Sequence, residues 1–142
     1  MLIAVAVLFI DLLSKHIVQS SMELNQSIPV VENIFHLTYI LNPGAAFGML
    51  ANQTTFFIVI TVAIIIGMMV FYKHIRREGL LVQLALGMIA GGALGNLIDR
   101  LRYGKVVDFL DFRVWPIFNL ADTAIVMGVA LVIWQMLKGE LK

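Results

Sequence analysis

Four stretches of the chain, at 1–21, 54–72, 80–98 and 117–137, are apolar over nearly their whole length. Crossing about 30 Å of hydrocarbon takes roughly 20 helical residues, so each stretch is long enough to span a bilayer. Of the 142 residues, 61% are hydrophobic and 13% charged. A soluble domain carries roughly 45–50% and 25%, and a water-soluble fold of this size has no interior able to hide the excess. The expectation is an all-α membrane protein, a four-helix bundle in one domain over 1–142. The first stretch reads as a retained helix rather than a cleaved leader, because it lacks a basic start and an A-x-A site and carries Asp11 and Lys15.

Charge in the connections sets an orientation. Lys73, Arg76 and Arg77 lie between the second and third stretches, and Lys138 and Lys142 follow the fourth. The positive-inside rule puts these segments, and both termini, in the cytoplasm. The connection after the first stretch has no Lys or Arg, as an exported segment should. The segment 99–116 breaks this pattern with Arg100, Arg102, Lys105 and Arg113, whose expected task is to answer the neighbouring Asp99, Asp108 and Asp111. Both outer connections contain β-branched and aromatic runs, at 35–39 and 107–114. These are expected to pair into a small sheet above the bundle. Between the first run and the second span, Asn42-Pro43-Gly44-Ala45-Ala46-Phe47-Gly48 is a turn signal.

Several classes of function drop out. A formal net charge of +1 provides no field to attract nucleic acid. With no cysteine in the chain, disulfides, thiolate nucleophiles and thiolate zinc sites are excluded. His16, His36 and His74 are far apart and form no helical ligand pair, so no metal site is expected, although carboxylates alone can hold a hard cation, and no cofactor is expected.

What remains is a set of carboxylates in expensive places. A charge at the centre of a span costs roughly 2.5–3.5 kcal/mol on insertion scales, which makes such groups functional candidates. Asp11 and Lys15 share one helix face and are expected to form a structural ion pair. Asp99 closes the third stretch beside Arg100, where a local salt bridge or a helix-end network accounts for it. Asp108 and Asp111 lie three apart in a strand-like run, so strand alternation should turn them to opposite faces. Asp108 sits among Val106, Val107, Phe109 and Leu110, an apolar setting that favours the protonated carboxyl. Asp122, early in the fourth stretch, has no cation within four residues. Two acids without an obvious intrahelical partner at the same membrane face suggest a shared site.

Two carboxyl groups in contact share a proton and titrate as a coupled pair. The ionised member can take a proton from water attacking a peptide carbonyl, while the protonated member hydrogen-bonds the carbonyl oxygen. A Ser14–Lys15 dyad is a poor rival, because adjacent helix residues do not face each other. Asn42, Asn96 and Asn119 are amides near the outer face, suited either to bind a substrate backbone or to satisfy buried carbonyls. Gly91, Gly92 and Gly95 permit close helix contact and lack the Gly-Lys-Ser/Thr of a phosphate loop.

At these residues the chain resembles the lipoprotein signal peptidases, or signal peptidase II, over nearly its whole length. Five blocks carry the resemblance: Asp11-Leu12-Leu13-Ser14-Lys15, Asn42-Pro43-Gly44-Ala45-Ala46-Phe47, the run 91–100 from Gly91 to Arg100, Val107-Asp108-Phe109, and Phe118-Asn119-Leu120-Ala121-Asp122. The resemblance implies that Asp108 and Asp122 are a catalytic pair, with Asp11, Lys15, Asn42, Gly44, Asn96, Asp99, Arg100, Asn119 and Ala121 binding substrate or supporting it. It further implies a lipid-modified prolipoprotein as substrate, cut before its diacylglyceryl cysteine at the outer face of the cytoplasmic membrane. Membrane lipid is an implied partner, globomycin-type antibiotics are implied inhibitors, and a monomer is expected. The implied fold adds an outer cradle of strands and a short amphipathic helix. One departure is that only ten residues precede Asp11, fewer than the family pattern suggests, although about 21 helical residues still cross roughly 30 Å.

Two other classes of function compete. A proton- or ion-coupled transporter subunit would use Asp11, Asp108 and Asp122 as a relay, but a relay spreads its carboxylates across membrane depth. A non-catalytic assembly helper leaves the paired acids without purpose.

Overall fold

The computed structural model describes residues 2–44 and 52–139. The elements run α1 (Leu2–Ser21), β1 (Ser27–Val31), β2 (Phe35–Asn42), α2 (Thr54–Val70), α3 (Tyr72–Ile75), α4 (Leu80–Tyr103), β3 (Val106–Asp111) and α5 (Leu120–Leu137). By length and composition α1, α4 and α5 can each cross a membrane, while α2 is a shorter apolar helix. Its 17 residues reach about 25 Å at 1.5 Å per residue. The strands form one antiparallel sheet in the order β1-β2-β3. The Ala45-Ala46-Phe47 portion of the turn motif lies outside the described residues, as does Lys142. No short amphipathic outer helix is found among those described.

Several expected boundaries move, each for a local reason. The third apolar stretch continues as helix to Tyr103, where Gly104, at φ +69°, caps it by donating its N–H to the Arg100 carbonyl. Asp99 and Arg100 therefore sit inside the helix rather than closing it. The fourth helix begins at Leu120 rather than 117, because Phe118 is taken into an antiparallel bridge with Leu110 and Asn119 caps the helix. The second ends at Val70, and the chain makes a turn at Phe71 before α3. The strand expected to reach 114 stops at Asp111, whose Oδ1 accepts the Arg113 N–H at 2.9 Å in a turn with Arg113 at φ +64°. β1 escapes a reading by alternation because all five of its residues are exposed.

Close packing centres on α4, which lies against both α1 and α5. A methyl group on Gly91 would lie 2.6 Å from the Ala4 carbonyl oxygen of α1, and one on Gly92 would collide with the Ala121 carbonyl of α5. Without a water-driven hydrophobic effect between spans, small residues let backbones approach and gain dispersion contacts. The outward surface is apolar: Leu2, Val5, Phe9, Ile10 and Ile17 on α1 are exposed, and α2 has no buried residue. Such a surface suits hydrocarbon rather than water. The interior instead holds polar side chains, among them Asp11, Lys15, Asn96, Asp99, Asp108 and Asn119.

Candidate active site

The sheet delivers Asp108 to the bundle. β2 pairs with β3 so that Ile40 faces Asp108 and Asn42 faces Val106. On the other side of β3, the Phe109 and Leu110 N–H groups both donate to the Phe118 carbonyl, at 3.0 and 2.8 Å, and Phe118 N–H returns to the Leu110 carbonyl at 3.1 Å. This clasp lays the start of α5 against β3. Asn119, one residue further on, therefore meets Asp108, and its Nδ2 donates to Asp108 Oδ1 at 2.7 Å.

Asn119 does two jobs at once. Its side-chain oxygen accepts the Asp122 N–H at 2.8 Å, satisfying one of the orphan donors in the first turn of α5. Its amide nitrogen also reaches Asn96 Oδ1 at 3.1 Å and the Val107 carbonyl at 3.3 Å. Asn96 then donates from Nδ2 to Asp122 Oδ1 at 2.7 Å. From β2, Asn42 Nδ2 donates to Asp108 Oδ2 at 2.8 Å, while Asn42 Oδ1 accepts the Gly44 N–H at 2.9 Å. Three amides thus connect the two carboxyl groups to one another and to the surrounding backbone.

A second tier lies behind them. Lys15 Nζ is 2.8 Å from Asp11 Oδ2 and 2.9 Å from Asp99 Oδ2, and it donates to Asn96 Oδ1 at 3.0 Å. The Asp11–Lys15 pair read from the sequence is present, but it is part of a three-charge cluster. Asp99 finds its cation in Lys15 of another helix, not in the adjacent Arg100. The reason is geometric, since sequence neighbours on a helix point apart. Both acids also hold backbone: Asp11 Oδ1 accepts the Ala121 N–H at 2.9 Å and Asp99 Oδ2 accepts the Val107 N–H at 3.1 Å. Asp11 thereby places a negative charge at the N-terminus of α5, where the helix dipole favours it. Gly95 is required there, because a Cβ at that position would run into the Asp11 carboxylate.

The cations of the segment 99–116 answer its acids only in part. Of the four, only Arg113 forms an ion pair among the described residues, with Asp111 at 2.9 Å. Arg102 and Lys105 are exposed. The Arg100 guanidinium lies 4.7 Å from the Phe57 ring centre, a cation–π contact to α2, and approaches the Gly44 carbonyl at 3.5 Å. Asp111 has partners separate from those of Asp108, accepting the Thr38 hydroxyl at 2.8 Å as well as Arg113. Ser14 donates to the Asp11 carbonyl at 2.8 Å, leaving its hydroxyl occupied within its own helix.

A cavity of about 660 Å³ opens onto this assembly, lined on its polar side by Asn42, Gly44, Asn96, Arg100, Asp108 and Asp122. Trp115, Ile117, Phe118, Ile125, Val126 and Met127 supply an apolar wall. This wall has no signature in the sequence, because apolar residues near a span carry no signal of their own. Asp11, Lys15, Asp99, Asn119 and Ala121 are buried behind the cavity. Burial, together with the charge of Asp122, pushes the Asp108 carboxyl up to about 7, against the lowering influence of the Asn42 and Asn119 hydrogen bonds and of Lys15. Asp111 moves the other way. Burial works against its charge, but donors from the Arg113 backbone, Thr38 and the Arg113 guanidinium outweigh it and hold the carboxyl below its ordinary range.

Comparison with known proteins identifies the family. The family model described as signal peptidase (SPase) II matches residues 3–138. Lipoprotein signal peptidases of Moorella thermoacetica and Pelotomaculum thermopropionicum are 53% and 55% identical, over 96% of this chain and 91% and 90% of theirs. A bacterial membrane enzyme solved by the in meso method superposes with a TM-score of 0.88 at 38% identity, covering 96% of this chain and 86% of the other. With the family model spanning most of the chain and relatives above 50% identity, the chain belongs to the signal peptidase II family, the membrane-embedded aspartic-type proteases that process bacterial lipoproteins.

Proposed function

We propose that Asp108 and Asp122 are the catalytic pair, sharing one proton at the working pH. The carrying observation is that two carboxyl groups from different segments line one cavity, tied through the Asn96–Asn119 amide bridge, with Asp108 held near neutrality. Asp108 then holds the proton, and Asp122 acts as base. Water attacks the scissile carbonyl and gives a proton to Asp122, while Asp108 hydrogen-bonds the oxygen on which charge develops. When the C–N bond breaks, the leaving amine takes a proton from the pair, which returns to its singly protonated form. Asn42 and Asn119 fix Asp108, Asn96 fixes Asp122, and Arg100 and Gly44 at the cavity rim are placed to meet the substrate backbone.

The substrate in this reading is a prolipoprotein bearing a diacylglyceryl cysteine, cut on the N-terminal side of that cysteine. The apolar wall formed by Trp115, Ile125, Val126 and Met127 suits acyl chains, and a globomycin-type inhibitor would fill the same space. In the membrane α2 serves as the fourth span, slightly short of a full crossing, and the sheet forms a cradle at the outer surface. The cations at 73–77 put both termini in the cytoplasm, and the enzyme acts as a monomer. A carboxylate relay for transport finds no support, because Asp11, Asp99, Asp108 and Asp122 gather in one hydrogen-bonded cluster instead of spreading across the bundle.

The test is cleavage of a lipidated prolipoprotein by purified protein in lipid. Asp108→Asn and Asp122→Asn are each expected to abolish product while the protein stays folded. Wild-type rates in both variants would refute the assignment.

A further inference from the structure

At the opposite end of the bundle a second cavity opens, about 800 Å³ in volume, between α1, α2 and α4. Gln83, on its rim, precedes Asn96 by 13 residues on one helix, so it lies about 20 Å from the acidic cluster along the helix axis. The cavity runs along α4 as far as Leu94 but shares no lining residue with the candidate active site. Its walls are apolar, including Ile65, Met68, Leu86 and Ala90. Tyr72, Arg76 and Gln83 stand where α2 gives way to the loop.

Two observations identify what this groove takes. α2 has no buried residue and packs far less against α4 than α1 or α5 does, which leaves an elongated gap open to the surrounding hydrocarbon. At the gap's polar end, residues 72–79 carry Lys73, Arg76 and Arg77 against a single acid, Glu78. Arg76 lines the groove, with its guanidinium 5.9 Å from the Tyr72 ring centre. Gln83 Nε2 donates to the carbonyls of Glu78 at 2.9 Å and Arg76 at 3.4 Å. That bond pair engages two loop carbonyls that would otherwise repel an anion. An apolar slot ending in a cationic rim is complementary to one kind of molecule in a membrane, a lipid with an acyl tail and a negatively charged head.

We infer that the groove between α1, α2 and α4 binds an anionic glycerophospholipid, with its phosphate at Arg76 and an acyl chain along Met68, Leu86 and Ala90. The lipid fills the gap left by the loose packing of α2 and fastens that helix to α4. A second apolar helix, such as a signal segment, is a poorer occupant because its basic leading end would meet the same cations.

The full-length protein in nanodiscs of equal phosphatidylcholine and phosphatidylglycerol, released for native mass spectrometry, tests this. Wild type is expected to retain phosphatidylglycerol in preference to phosphatidylcholine. Arg76→Gln, at an exposed position, is expected to reduce that preference about five-fold, the equivalent of about 1 kcal/mol per basic residue at a membrane surface. Ala90→Phe, which obstructs the slot and leaves the cations intact, is expected to lose adducts of both lipids. Equal retention of the two lipids by wild type, or an unchanged ratio in Arg76→Gln, overturns the assignment. Displacement of bound lipid by an apolar helical peptide would give the groove to that peptide instead.

Discussion

Replacing Asp108 by Asn should make the protein more stable at alkaline pH and less stable at acid pH, and the reversal can be worked out from the site. The Asp108 carboxyl ionises at about 7 in the folded protein against an ordinary 3.8. That gap corresponds to about 4 kcal/mol of differential interaction between its two protonation states. Because the folded value is raised, the folded state binds the proton more tightly than the unfolded chain does. Below about pH 4 both states are protonated and there is no penalty. Between about pH 4 and 7 the unfolded chain releases its proton freely and the folded protein does not, so stability falls as pH rises. Above about pH 7 the full penalty of about 4 kcal/mol applies. Asn at this position carries no such penalty, but it accepts at only one atom, whereas the Asp108 oxygens accept from both Asn119 and Asn42. One amide donor is left facing an NH₂ group, at a cost of about 1–3 kcal/mol. Relative to wild type, Asp108→Asn should therefore gain about 1–3 kcal/mol above pH 7 and lose about 1–3 kcal/mol at pH 4. Equilibrium unfolding of both proteins in the same detergent across this range measures the difference. A stability difference that stays flat with pH would refute the raised proton affinity and, with it, the assignment of the shared proton to Asp108.

Other perturbations follow from the same network. Lys15→Met leaves Asp11 and Asp99 buried without their cation and should cost about 3–5 kcal/mol, read as a lower midpoint of unfolding; an unchanged midpoint would contradict the three-charge cluster. Gly92→Ala pushes a methyl into the Ala121 carbonyl. It should destabilise by about 1–3 kcal/mol and lower kcat by shifting Asp122, with normal kinetics arguing that α5 is free to move. Asp111→Asn should leave cleavage close to wild type but cost about 1–3 kcal/mol of stability, since Asp111 is buried and its carboxylate accepts the Thr38 hydroxyl as well as Arg113; a folded but inactive variant would place Asp111 in the site. For the wild-type enzyme, kcat/KM should fall above about pH 7 as Asp108 loses its proton. Constant activity well into the alkaline range would mean the required acid lies elsewhere.

How much of this was legible beforehand depended on how local each feature is. The apolar helices could be read directly, because the length of an apolar run is itself the physical requirement for crossing hydrocarbon. Asp108 stood out for its apolar flanks and Asp122 for having no cation within four residues, while Asp11 has Lys15 four residues on. Span ends were less visible. The end of α4 at Gly104 depends on a left-handed cap, and the start of α5 depends on a bridge from Phe118 to a strand residue. β1 carried no alternation because none of its residues is buried.

The sequence alone determined which segments prefer lipid, which side chains are expensive to bury, and therefore which residues must find partners. Only the tertiary structure decided who those partners are. Lys15 meets Asn96 across 81 residues and Asp11 meets the Ala121 N–H across 110, distances at which no periodicity or spacing rule operates. The pairing of Asp99 with Lys15 instead of Arg100 is the plainest case. Side-chain direction on a helix separates neighbours in sequence, and close packing at Gly91, Gly92 and Gly95 brings distant ones together.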